Sequence, residues 1–414
     1  MSLPARFAEA MGGLVGPDFP GEIGLAVSGG GDSMAMLHLA AGWARAWGVG
    51  LRVVTVDHGL RPESASEAAM VASEAQALGL SHETLTWDQH PGTGNLMDAA
   101  RQARLRLIGA WCGPVRHVAF AHTRDDVAET FLMRLRRGSG VEGLSEIAGR
   151  RTVDGFEVIR PLREISRVEL RQHNDVLGIP YVDDPTNSDP AFERSRMRQL
   201  LQGLEAQGLG VECLAATARR LRRSREALER RALDAATAAM RPAPEGDVAL
   251  DRDAFARIEA DTQLRILAGA LQFVASAPYR PRVVALEETL DRVLAGGDST
   301  LHGCRILARK SQIYLFREHA AVAGLAMTDG RWDRRWLVSD RLSKGLAVAA
   351  LGDAGMDQAG RPETPGAPRA ALRSAPALWD GPRLVACPRI GLGDSAPIRL
   401  DPPGGSFPEC LLSD

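Results

Sequence analysis

Lysine is almost missing from this chain. Of its 50 basic residues only Lys310 and Lys344 are lysines, and both fall late in the 414 residues. There is therefore no Gly-Lys-Ser/Thr phosphate loop, and no early lysine to form a Schiff base or carry an adenylate. Cysteine is scarce as well. Cys112, Cys213, Cys304, Cys387 and Cys410 are odd in number, widely spaced and never arranged as Cys-x-x-Cys. That pattern indicates no zinc knuckle, cluster site or disulfide framework, and fits incidental thiols in a reducing compartment. Apolar runs fall well short of a membrane span. Nor is there an excess of positive charge: 50 basic against 52 acidic residues leave a formal −2, which rules out a uniformly basic nucleic-acid binder and leaves local basic patches. Residues 1–20 lack a charged segment followed by an apolar one and are broken by Gly12, Gly13, Gly16 and Pro17, which argues against a signal or transit peptide. The expected location is cytoplasmic.

What is present reads as a globular protein, 45% apolar and 25% charged, long enough for two or three domains. From residue 22 to about 122, short apolar runs alternate with amphipathic stretches, the signature of βαβ units and a parallel sheet. Residues 23–27, 51–56, 82–86 and 115–121 read as strands, and 33–47, 63–78 and 96–111 carry apolar residues at helical spacing. A break rich in glycine and charge follows near 138–160, then a helix over 166–177 and a polar loop over 183–190. Residues 215–240 hold seven arginines on a helical apolar frame ended by Pro242 and Pro244. Helical patterns at 253–275 and 281–294 precede strand-like runs at 304–308 and 313–316, a small α+β unit. Beyond about 325 the strand candidates are 336–338, 346–350 and 383–386, with a Gly/Pro-rich insert at 352–368.

One segment carries chemistry. Leu25-Ala26-Val27-Ser28-Gly29-Gly30-Gly31-Asp32-Ser33 is a buried strand, a glycine-rich turn and a helix start. Three glycines let the backbone approach a ligand, and their N–H groups with the helix N-terminus form an anion cradle to which Ser28 and Ser33 add hydroxyls. Asp32 is the informative residue, because a carboxylate beside a phosphate cradle is repulsive unless a divalent cation lies between them. A plain βα turn capped by Asp32 or Ser33 is the alternative. Asp125, Asp126 and Glu129 fall within one helical turn after the fourth strand; either a cation shares them, or they serve the helix dipole. His58 and His122 each follow a strand at its carboxyl edge, where open α/β sheets bind ligands, and a simple hydrogen-bonding role is the alternative for each. Arg101 and Arg104, three apart on a helix, face phosphate or solvent.

Ser-Gly-Gly-x-Asp-Ser after a first strand resembles the pyrophosphate loop of the N-type ATP pyrophosphatases, Rossmann-like enzymes that cut ATP between its α and β phosphates. Further motifs choose among them. Val56-Asp57-His58-Gly59-Leu60-Arg61, Ala100-Arg101 with Arg104, Ala121-His122 with Asp125, Asp126, Glu129 and Thr130, Arg137-Gly138 with Gly140, Gly143 and Leu144, Pro161-Leu162 with Arg167 and Glu169, and Asp184 to Asp189 with Arg194 and Arg198 are similar, in that order, to the tRNA(Ile)-lysidine synthetase series. The match is dense over residues 22–200 and looser beyond. Two departures stand out: Leu105 replaces a usual tyrosine and Ser195 a usual asparagine.

The resemblance implies a Rossmann-like catalytic domain over 1–207, an Arg-rich connecting helix over 208–242 and a small α+β tRNA-binding domain over 243–324, and the strand candidates beyond make 325–414 a mainly β module. It also implies a reaction in which the cytidine at the first anticodon position of tRNA(Ile), anticodon CAU, is adenylated by ATP and then attacked by L-lysine. On this reading Ser28, Gly29, Gly30, Gly31, Asp32, Ser33 and Arg104 bind ATP, and Asp32 holds Mg²⁺. Asp126 and Glu129 bind lysine, and Asp32, Asp126, His58 and His122 are catalytic. Arg194, Arg198, Arg219 and Arg223 contact tRNA, with Arg134, Arg136 and Arg137 nearby. A homodimer is left open. The rival enzyme, a tRNA sulfur transferase, wants paired cysteines that Cys112 lacks; a nucleotide-holding scaffold would not need Asp32 and the acidic trio.

Overall fold

The computed structural model describes all residues except 61, 89–95, 154, 184–192, 329, 340–344, 361, 363, 365, 394–397, 403, 413 and 414. Arg61 and the stretch 184–189 of the sequence motifs lie outside the described residues. The chain divides into a unit spanning Met1–Arg225 and another spanning Glu226–Ser413.

In the first unit the alternating pattern becomes α1 (Leu3–Val15), β1 (Glu22–Ala26), α2 (Gly31–Trp47), β2 (Gly50–Asp57), α3 (Ser64–Ala77), β3 (Ser81–Thr86), α4 (Leu96–Cys112), β4 (His117–Phe120) and α5 (Arg124–Arg136). A one-turn α6 (Val141–Leu144), β5 (Arg150–Val153), β6 (Phe156–Ile159), α7 (Arg167–Leu177) and α8 (Glu193–Glu205) follow. Six strands form one sheet in the order β3-β2-β1-β4-β6-β5, parallel except for β5, which pairs antiparallel with β6. The order reverses at β1, and the crevice at the carboxyl ends of β1 and β4 is where such sheets take ligands.

Each face of the sheet is covered because strand side chains alternate. Ile23, Leu25, Leu51 and Val53 pack against Phe7, Met36, Leu37, Val71 and Leu170 of the helices on one side. Val54, Val118, Phe156 and Val158 pack against Ile108 and Cys112 of α4 on the other. The region read as a glycine- and charge-rich break therefore holds two strands. Each is only four residues long and carries charge, Arg150, Arg151 and Glu157, so neither shows a plain apolar run.

A third cluster joins Val127, Phe131 and Leu132 of α5 to Met197 and Leu201 of α8 and to Leu214, Ala215 and Ala218 of α9 (Val211–Ala239). At 29 residues, α9 is the Arg-rich helix of the sequence.

The second unit opens on β7 (Met240–Arg241), β8 (Val248–Asp251), α10 (Arg252–Ala256), α11 (Ala260–Ala275), α12 (Val283–Leu294), β9 (Ser299–Leu301), β10 (Cys304–Ala308) and β11 (Gln312–Arg317). These strands form an antiparallel sheet, order β7-β8-β11-β10-β9, backed by α11 and α12 through Ile266, Leu271, Leu290 and Val293. Two three-stranded antiparallel sheets follow, one of Arg331–Trp332, Trp336–Val338 and Ile398–Leu400, the other of Leu346–Ala350, Pro376–Asp380 and Arg383–Ala386. A helix, Gly352–Gln358, occupies part of the Gly/Pro-rich insert. Beneath these sheets Asp247 is fully buried and accepts bonds from Arg389 and from the Tyr314 hydroxyl, the latter at 2.9 Å. Asp333, also buried, pairs with Arg317 at 2.9 Å. Among the described residues no helix is long and apolar enough to cross a membrane.

Candidate active site

A cavity of about 870 Å³ opens at the carboxyl ends of β1, β2 and β4. Its floor is the turn between β1 and α2. Gly29 has φ +85°, a left-handed conformation that excludes most side chains, and a Cβ on Gly31 would lie 3.3 Å from the Tyr181 ring. Ser33 Oγ donates to the Gly30 carbonyl at 2.8 Å and accepts the Ser28 N–H at 3.1 Å. Two bonds arrive from far along the chain: Asn174 Nδ2 donates to the Gly31 carbonyl at 2.8 Å, and the Val182 N–H to the Gly29 carbonyl at 3.0 Å. With its carbonyls so engaged, the turn presents Ser28, Gly30, Gly31 and Ser33, and the N-terminus of α2, to the cavity. That is a cradle for an anion, since the first N–H groups of a helix have no partner within it.

Carboxylates stand beside the cradle. Asp32 Oδ2 accepts from Arg167 Nε at 3.1 Å, while Oδ1 is buried with no hydrogen-bond partner. Burial raises the Asp32 pKa, against the pull of Arg167 and with the push of Asp126. Asp126 divides its two oxygens between structure and site. Oδ2 accepts the Thr123 N–H at 2.8 Å and the Thr123 hydroxyl at 2.9 Å, a capping box for α5, and Oδ1 faces Arg167 at 3.5 Å and Arg194 at 3.9 Å. Burial works to raise its pKa, but Arg167, His122, Arg194 and the Thr123 N–H together hold it below the usual carboxylate value. Glu129 is wholly buried; Oε1 accepts from Arg198 Nε at 2.6 Å and Arg167 Nη1 at 3.1 Å, and Oε2 has no partner. Asp125 is committed elsewhere, accepting the Arg167 backbone N–H at 2.8 Å at the start of α7.

The cation shared by this acidic set is thus a side chain of the chain itself. Arg167 reaches Asp32, Asp126 and Glu129 at once, and although burial opposes its charge, these carboxylates and Asp125 hold it firmly protonated. Sequence reasoning placed Arg167 in a motif but gave it no role. One signal was available: a cation in the first turn of a helix runs against the helix dipole and needs a nearby carboxylate.

The remaining sequence candidates fall in two places. His58 lines the cavity edge-on to Trp87, at 5.7 Å between ring centres. His122 lines it too, stacked near Phe120, with a buried Nδ1 that has no partner; burial, above all, depresses its pKa far below 6.5, so the ring is neutral. Arg104, Arg194 and Arg198 are on the wall, the last two beside the carboxylates, with Arg194 still exposed to solvent. Arg219 and Arg223 do not line the cavity. Arg219 pairs with Glu164 at 2.5 Å, and Arg223 is exposed on α9. Arg134 donates to the Gly143 carbonyl at 2.8 Å, and Arg136 and Arg137 pair with Glu193.

Residues 5–204 match the family model described as the PP-loop domain. Over 397 residues the chain is 42% identical to a tRNA(Ile)-lysidine synthase of Ruegeria pomeroyi, covering 95% of this chain and 94% of that one. It is 45% identical over 291 residues to one from Bradyrhizobium sp., covering 67% and 81%, and 32% identical over 339 residues to one from Wolbachia pipientis, covering 79% of each. This chain belongs to the tRNA(Ile)-lysidine synthase family.

Membership makes it a ligase with a PP-loop domain. The two departures from the synthase pattern both fall on packing positions. Leu105 lies against the Ile108, Phe120 and Val158 cluster, and Ser195 is buried in α8.

Proposed function

We propose that this synthase joins L-lysine to C2 of the cytidine at the first anticodon position of a CAU tRNA(Ile), in two steps within the one cavity. In the first, the cytidine C2 oxygen attacks the α-phosphorus of ATP, the bond to the β-phosphate oxygen breaks, and pyrophosphate leaves. In the second, the ε-amine of lysine attacks C2, the carbon–oxygen bond breaks and AMP departs with the oxygen, while the amine loses its proton.

The observation that carries this reading is the acidic set of Asp32, Asp126 and Glu129, gathered round a guanidinium beside an anion cradle. The cradle and Arg104 suit the triphosphate. Carboxylates that already hold a side-chain cation suit an incoming ammonium group, whose free amine has a pKa of about 10.4. The partnerless buried Oδ1 of Asp32 fits Mg²⁺, which is held through one or two carboxylates plus substrate phosphates. When bound there, the metal neutralises charge on the leaving pyrophosphate.

Among the described residues no three His, Cys, Asp or Glu side chains group as a metal site, and Asp32 is the residue that would hold the cation. His122, kept neutral, offers the reacting groups a hydrogen bond without a charge, and His58 orients from the β2 side. Arg194 and Arg198 meet the cytidine end of the tRNA, Arg219 and Arg223 its backbone, and residues 243–324 extend that contact. A cytoplasmic location and a homodimer belong to the same proposal, the latter tested by light scattering.

Glu129→Gln separates the two steps. It deletes a charge facing the ammonium group, a loss on the order of 2 to 5 kcal/mol for a desolvated pair, and leaves the cradle untouched. The variant is expected to release pyrophosphate and accumulate AMP-linked tRNA, yet to need tens- to thousands-fold more lysine. Failure of adenylation together with lysine transfer would move Glu129 to the ATP site and overturn the assignment.

A further inference from the structure

Arg104, assigned above to the triphosphate, belongs to a larger positive cluster in the same unit whose other members, Arg101, Arg151 and Arg160, have no part in that assignment. In the β5–β6 hairpin Arg151 stands opposite Val158, so Arg151, Val158 and Arg160 share one face of the sheet. On the opposite face the hairpin's charge is balanced, Arg150 donating to Glu157 at 3.0 Å. On the first face Arg151 and Arg160 meet Arg101 and Arg104 of α4 around a cavity of about 20 Å³, room for a water and not for a phosphate, closed by Phe120 and His122, so an anion would be met at its border with the large cavity. Arg104, Phe120 and His122 also line the large cavity, so the two adjoin.

No counter-charge serves Arg104, which is half-buried, or Arg160, which is buried, among the described residues. The Arg104 guanidinium lies 5.4 Å from the Phe120 ring centre, and its Nε is buried without a partner. Arg160 is buried, gives Nη1 to the Ala148 carbonyl at 2.6 Å, and likewise has a partnerless Nε. Burial pushes both guanidinium pKa values down to about 10, and every neighbouring charge that acts on them is another arginine. A desolvated cation without an anion destabilises the fold, and such an arrangement is found where an anion is to be bound.

We propose that Arg151 and Arg160, with Arg101 and Arg104, form a second phosphate subsite of the nucleotide pocket, separate from the glycine loop. The group recognised is a phosphate, which has two sources in this reaction: the RNA strand beside the reacting cytidine, and the tail of ATP. The glycine loop and the N-terminus of α2 already cradle the latter. The phosphodiester next to the cytidine is therefore the expected occupant, and its capture would hold the splayed nucleotide against His122 and the loop.

The test compares wild type with Arg151→Gln and Arg160→Gln, measuring affinity for a CAU tRNA(Ile) transcript and for ATP at several salt concentrations, together with melting temperature. RNA affinity is expected to fall roughly ten- to a hundredfold in Arg160→Gln, with the salt slope reduced by about 0.7 per lost contact. ATP binding should hold within about twofold, and the melting temperature should stay level or rise because an uncompensated charge has gone. Weakened ATP binding with intact RNA binding keeps the subsite and names the triphosphate as its source. Unchanged affinity for both ligands overturns it, as does equal loss of both with a lowered melting temperature, which would make the arginines structural. If Arg160→Gln does not fold, the exposed Arg151 carries the same comparison. The proposal rests on the pocket taking ATP and tRNA: a wild-type protein that bound neither would overturn both readings, whereas intact wild-type binding with unaltered variants overturns the subsite alone.

Discussion

Asp32, the carboxylate proposed to hold Mg²⁺, illustrates how a buried charge is kept at the expense of stability. Its folded pKa is raised above 3.8 by burial, so between 3.8 and the raised value the native state binds more protons than the unfolded chain. Stability therefore declines as pH rises through that interval, and the full cost is present above it. Asp32→Asn removes the titration and no packing. Its melting temperature should exceed that of wild type at pH 7.5 and converge with it near pH 4, while Mg²⁺-dependent pyrophosphate release drops roughly a hundredfold or more. Equal melting temperatures at both pH values would contradict a buried, ionised carboxylate. Residue types alone had marked out the glycine turn with Asp32 and the trio of Asp125, Asp126 and Glu129, with a plain βα turn and a helix-dipole role as the alternatives, and the family resemblance then singled out Asp126 and Glu129. Arg167 escaped, since one arginine among 50 basic residues acquires its meaning only when α7 is brought against α5 and α2.

At the scale of elements, the site depends on how α5 begins. Thr123 caps it, and the bond between Thr123 and Asp126 Oδ2 leaves Oδ1 turned to the arginines. Thr123→Ala should cost about 1 kcal/mol of stability in urea denaturation, as a lost N-cap does. Because it removes one of the two bonds that fix Asp126 Oδ2 and leaves the backbone N–H of residue 123, it should also raise the lysine requirement modestly while leaving that for ATP unchanged. A parallel rise in both would place the effect on the fold as a whole. The long, periodic helices and the buried strands β1, β2 and β4 were legible because apolar spacing repeats over many residues. The β5–β6 hairpin was not, its strands being four residues each with charged alternates, and the pairing that makes them strands comes from β4.

Over the whole molecule, legibility falls from the N-terminal to the C-terminal half. The first unit repeats one simple unit of strand and helix, whereas the second is stitched from short antiparallel strands whose partners lie far apart in sequence, such as Trp336–Val338 with Ile398–Leu400. Buried ion pairs do part of the stitching. Asp247→Ala leaves Arg389 buried without its partner and strips the acceptor from the Tyr314 hydroxyl. A loss of about 3 to 5 kcal/mol is expected for the cooperative unfolding of this unit, read by chemical denaturation. Asp247→Asn, which keeps one acceptor, should lose less.

The bonds that pin the phosphate loop bear on how the protein is made. Ser28 to Ser33 leave the ribosome early, but the groups that fix the Gly29 and Gly31 carbonyls belong to Val182 and Asn174, some 150 residues later in synthesis. β6, which pairs with β4, also arrives after α5. A nascent chain halted before α7 carries every glycine of the loop and neither of these two distant clamps, so the turn takes its final form only once residues 174 and 182 have been made.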